Sequence, residues 1–140
     1  MSEKHVVKTS WLEKMAFESE INGHKIVIDA EPHVGGEDKG PRPKPFMLAA
    51  LAGCTGMDVI SILKKMRVDV EDFDVIVEGE LTDEHPKYYK NMHVIYQFKG
   101  KDLPMEKLEK AVSLSEERYC GVSALYKQVI PITSEIKIID

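Results

Sequence analysis

Pro45-Phe46-Met47-Leu48-Ala49-Ala50-Leu51-Ala52-Gly53-Cys54-Thr55-Gly56-Met57 carries no charge, and the apolar pattern continues through Val59, Ile60, Ile62, Leu63 and Met66. Lys64, Lys65 and Arg67 then bring basic charge to its end. A run apolar on nearly every side predicts a helix over 45–67 written for a protein interior. At about 1.5 Å per residue it would reach roughly 35 Å, the width of a small domain. One face of one sheet cannot cover such a rod, so strands are expected to wrap it. Pro45 suits the first helical turn, and the basic cluster suits the carboxyl end of the helix dipole.

On either side the pattern is that of strands. Trp11, Met15, Phe17 and Ile21 share one parity, Ile26 and Ile28 another, and Asn22-Gly23 between them is a hairpin turn signal. From Glu31 to Lys44 three prolines, three glycines and alternating charge predict a loop, long for a compact domain and therefore mobile or functional. Beyond the helix, Phe73, Val75 and Val77 alternate with polar positions, as do Met92, Val94, Tyr96 and Phe98, which predicts a long antiparallel hairpin. Asp102-Leu103-Pro104 opens a second helix with Asp102 as its expected cap. Its apolar stripe is Met105, Leu108, Ala111 or Val112, Ser115 and Tyr119. Gly121 breaks the axis, a short helix follows, and Ile132 to Ile138 alternate as a last strand. Six strands and two principal helices in this order predict an α+β domain with antiparallel pairing, residues 1–140 forming a single domain. A helix this apolar in so short a chain also predicts that a second copy supplies part of its cover.

Composition narrows the function. A formal net charge of −5 disfavours unaided nucleic-acid binding. The eight acidic residues between Val68 and Glu84, with no Lys or Arg among them, read as a solvated strand face. Neither a secretory leader nor a span of ~20 apolar residues is read, so a soluble cytoplasmic protein acting off the membrane is expected. His24, His33, His85 and His93 lack zinc spacing, and Gly35, Gly36 and Gly40 do not form a phosphate-loop motif, so neither metal nor organic cofactor is expected. Two cysteines separated by 65 residues would be free thiols in a reducing compartment. Cys54 alone reads as well as a small buried hydrophobe as it does a nucleophile. With Cys120 it suggests more: were the two helices to bring the thiols together, one could reduce a peroxide and the other resolve the product.

The segments Pro43–Val59 and Glu116-Glu117-Arg118-Tyr119-Cys120-Gly121-Val122 resemble the two cysteine motifs of the osmotically inducible protein C and organic hydroperoxide resistance family. The resemblance implies an intertwined homodimer whose strands wrap long central helices, with Cys54 as peroxidatic and Cys120 as resolving thiol. It also implies organic hydroperoxides as substrates and a dithiol, in some members a lipoylated protein, as reductant. Peroxidatic members carry a glutamate where this chain has Lys44, and an arginine in the amino-terminal hairpin, whereas the first arginine here is Arg42. A thiol among apolar neighbours needs a cation to ionise, and Lys44 or Arg42 would supply it. Phe46, Leu51 and Met57 are the expected wall of an apolar pocket. Asp58, one turn beyond Cys54, would oppose a thiolate unless hydrogen-bonded elsewhere. The alternatives are a non-catalytic protein binding a small apolar ligand and a redox-sensitive dimer.

Overall fold

The computed structural model describes residues 2–140. The chain forms two compact units, one ending at Phe46 and one spanning Met47–Asp140, each described by itself. In the first, β1 (Lys8–Glu13), β2 (Ala16–Ile21) and β3 (His24–Ile28) make an antiparallel meander in sequence order. Asn22 and Gly23 take φ of 51° and 81° between paired Ile21 and His24, the two left-handed residues that a tight hairpin turn requires.

The loop that follows is pinned down. Asp29 is buried, and its carboxylate accepts the backbone N–H groups of Ala30, Glu37 and Lys39 at 2.7, 3.1 and 3.0 Å. The Lys39 N–H first, then that of Ala30, hold this carboxyl below its usual range. Glycine is needed at two points: a Cβ on Gly36 would lie 2.0 Å from the Ala30 carbonyl oxygen, and one on Gly40 would lie 2.1 Å from that of Val27.

The second unit is built on α1 (Phe46–Lys65), which enters it at Met47. Its sheet has the order β4 (Asp72–Leu81), β5 (Tyr89–Lys99), β6 (Ile132–Ile139), and α2 (Met105–Leu114) and α3 (Gly121–Tyr126) lie in sequence between β5 and β6. The alternation read in β4 and β5 is realised, with Met92, Val94, Tyr96 and Phe98 buried and the Phe73 and Phe98 rings stacked at 4.5 Å. Leu51, Val59 and Leu63 of α1 join this core, each burial contributing roughly 1.5–3 kcal/mol.

Three expectations change. β6 runs parallel to β5, because residues 100–131 form a helical crossover long enough to return the chain to the same end of the sheet, and strand parity carries no direction. Pro104, not Asp102, occupies the position before α2, without a side-chain cap, and Asp102 takes a left-handed turn conformation with φ 49°. Within the chain α1 is buried along one stripe only, Leu51, Thr55, Val59 and Leu63, while Met57 and Ile60 on another side are exposed.

Candidate functional site

Cys54 lies on the flank of α1, partly exposed, with Asp58, Ser61 and Lys65 continuing that flank at intervals of three or four residues. Cys120 lies where α2 ends. A turn of π-helix over Ser115–Tyr119 closes with the Cys120 N–H donating to the Ser115 carbonyl at 2.8 Å, and Cys120 then becomes the first cap of α3, its sulfur accepting the Ser123 N–H at 3.3 Å. Both cysteines are free thiols. Burial first, and the nearby Cys54 thiol second, push the Cys120 thiol up to about 11.

Beneath them runs a file of polar side chains through the core. The Ser115 hydroxyl donates to the Asp58 carboxylate at 3.0 Å, and Thr55 Oγ1 lies 2.7 Å from Ser115 Oγ and 2.9 Å from the Tyr96 hydroxyl. Tyr96 donates to one Glu116 carboxylate oxygen at 2.9 Å, and Ser134 donates to the other at 3.3 Å. Burial, opposed by the bond to Thr55 and aided by the Glu116 charge, pushes the Tyr96 phenol well up. Asp58 thus has the hydrogen-bond partner its position demands.

The remaining residues named from sequence are dispersed. The Arg42 guanidinium binds the Asp38 carboxylate and donates to the Asp29 carbonyl at 3.4 Å, and Lys44 is exposed before α1 with no acidic partner among the described residues. Leu51 belongs to the core, Phe46 is half-buried, and Met57 is 75 % exposed. Beside the Cys54 flank, Asp58, Ser61, Ile62, Lys65, Met66, Leu114 and Tyr119 line a cavity of about 560 Å³. No group of three or more potential metal ligands clusters among the described residues. Thr55, Tyr96, Ser115 and Glu116 were not singled out from sequence, although a hydroxyl on each apolar stripe, Tyr96 in β5 and Ser115 after α2, was the available sign.

Residues 36–135 match the model of the OsmC-like protein family. Protein YhfA of Escherichia coli K12 is 32% identical over 133 residues, 94% of this chain and 96% of the relative. A hypothetical protein from Aquifex aeolicus VF5, known from a crystal structure, superposes with a TM-score of 0.82 at 32% identity, covering 99% of this chain and all of that one. The organic hydroperoxide resistance protein OhrB of Bacillus subtilis shares the fold, with a TM-score of 0.64 at 19% identity over 96% of this chain and 98% of its own.

Proposed function

The chain belongs to the OsmC-like protein family, and from that premise we propose that it reduces organic hydroperoxides, with Cys54 as the attacking and Cys120 as the resolving thiol. The observation that carries the reading is the nearness of two free thiols, one partly exposed and one buried. The Cys54 thiolate attacks the hydroperoxide oxygen distal to the alkyl group. The O–O bond breaks, sulfur gives up two electrons to become sulfenic acid, and the alkoxide takes a proton and leaves as alcohol. In the second step Cys120, protonated at rest by its burial, gives up that proton as its sulfur attacks the sulfenic sulfur; the S–S bond forms, the S–O bond breaks, and the hydroxide leaves with the proton as water. A dithiol, free or on a lipoylated protein, opens the disulfide by exchange and is itself oxidised.

The working form in this reading is an intertwined homodimer. A second copy covers the side of α1 that carries Met57 and Ile60, and Phe46 and Met57, which share that side, supply the hydrocarbon wall with Leu51 behind them. Apolar walls favour alkyl over hydrogen peroxide, since only the former buries hydrocarbon. Lys44, unlike the engaged Arg42, has an ammonium available to favour the thiolate from across the dimer. In stopped flow with cumene hydroperoxide, wild type consumes thiol rapidly, Cys54→Ser does not, and Cys120→Ser stops at a sulfenic acid that dimedone traps. Equal rates in wild type and Cys54→Ser would reject the mechanism.

One observation favours a second reading, binding of a small apolar ligand. In the first unit Met15, Phe17, Ile28 and Val34 line a cavity of about 420 Å³. Native mass spectrometry decides it: a co-purifying ligand together with unreactive thiols supports binding, and a bare chain with rapid thiols removes it.

A further inference from the structure

The file that runs from half-buried Asp58 through buried Ser115, Thr55 and Tyr96 to half-buried Glu116 does not balance in protons. It contains four successive oxygen contacts, Asp58–Ser115, Ser115–Thr55, Thr55–Tyr96 and Tyr96–Glu116, at 3.0, 2.7, 2.9 and 2.9 Å. Each is at hydrogen-bond length, and a hydrogen bond needs a proton between its oxygens. Ser, Thr and Tyr hydroxyls bring one proton each, and ionised carboxylates bring none. Three protons therefore serve four contacts. If Ser115 and Tyr96 give theirs to the carboxylates, Thr55 can donate to only one of them, and the other contact sets lone pair against lone pair. Water has no room to repair either of Thr55's two contacts, because Thr55, Ser115 and Tyr96 are 1%, 0% and 1% exposed, whereas the end carboxyls open onto cavities. Nearby groups do not change the count. Ser134 adds one contact to Glu116 and one proton, and the Thr55 carbonyl, 3.5 Å from Ser115 Oγ, is only a further acceptor.

We propose that this chain is a proton-binding site: it holds one proton beyond those of its hydroxyls, on one of its two end carboxyls, so that Asp58 and Glu116 together carry a single negative charge. With that proton in place every hydroxyl can point the same way along the file and all four contacts become hydrogen bonds. The surrounding charges favour the Glu116 end. Glu109, Glu117 and Glu135 share a cavity with Glu116, whereas Lys65 shares one with Asp58. Lys127 reaches only the Glu116 backbone carbonyl, and the Cys120 thiol beside Tyr96 is held neutral by burial. The consequence for chemistry is local: with the proton at the Glu116 end, the charge left in the file is that of Asp58, one turn from Cys54, where it opposes a thiolate. The inference stands on oxygen contacts, and inactive thiols would sink the peroxidase reading without touching it.

The test is the net charge of the reduced full chain at neutral pH, by capillary electrophoresis, with the infrared stretch of a protonated carboxyl as second readout. Thr55→Val and Tyr96→Phe each cut the file into fragments whose hydroxyl protons suffice. Each is expected to release the extra proton, gaining about one negative charge and losing the infrared band. Asp58→Asn and Glu116→Gln supply the missing hydrogen covalently as an amide N–H, so each is expected to leave the net charge unchanged although a carboxyl has been removed. The proposal is overturned if the two amide variants each lose about one negative charge, as for ordinary carboxylates, or if Thr55→Val and Tyr96→Phe leave charge and band as in wild type.

Discussion

Asp29 in the first unit and the half-buried Asp58 and Glu116 that end the file in the second are carboxylates held by hydrogen bonds within the fold, and they are satisfied in opposite ways. Asp29 receives three backbone N–H groups, each bringing its own proton, so the anion is fully paired and its loop is locked. In the second unit two carboxyls are joined through hydroxyls alone, which must accept as well as donate, and the supply falls one short. Backbone donors make a fixed anion site, whereas hydroxyl donors make one that takes up a proton.

Substitutions break the comparison most strongly where the loop is tightest. Gly36→Ala places a Cβ against the Ala30 carbonyl, and the expected loss is about 3 kcal/mol, at the upper end for overpacking, read as a lower urea midpoint with unchanged slope. In the file, Asp58→Ala removes one hydrogen bond and turns the wholly buried Ser115 hydroxyl to Thr55, and should cost about 1 kcal/mol in the same assay.

Acid tests the loop by a different route. The Asp29 carboxyl is lowered in the folded chain, so its contribution is present above the unfolded value of 3.8 and is lost as pH falls through the lower folded one. Amide exchange at Glu37 and Lys39, corrected for its intrinsic pH dependence, should therefore lose protection in strong acid, and Asp29→Asn should remove that dependence. Base tests the thiol beside the file. Burial raises Cys120 from 9.0 to about 11, so its contribution is full below pH 9 and is lost as pH rises through 11. Cys120→Ala should flatten that alkaline fall in stability. Smallest of all is Asp58→Asn, which restores the proton count and should move stability by less than about 0.5 kcal/mol. A cost as large as that of Asp58→Ala would show that the file needs the charge and not the hydrogen.

Much of the architecture could be read directly. Apolar periodicity placed α1 within two residues at each end, the parity of Phe73–Val77 and Met92–Phe98 placed the long hairpin, and Asn22-Gly23 announced its turn. The two cysteine motifs pointed to the family. The loop of Glu31 to Lys44 was located but not understood, since its anchor, Asp29, precedes it and works through amides that every residue possesses. The direction of β6 was equally silent, because alternation is the same read from either end.

What residue order settled by itself is therefore the list of elements, the buried face of the long hairpin and the kinship of the chain, because periodicity and turn chemistry are local and survive in one dimension. Tertiary structure alone decided which side chains meet: Thr55 with Ser115 and Tyr96, partners 60 and 41 residues away in the chain. A proton shortage is a property of a whole connected file, and no pair of neighbours in sequence carries it.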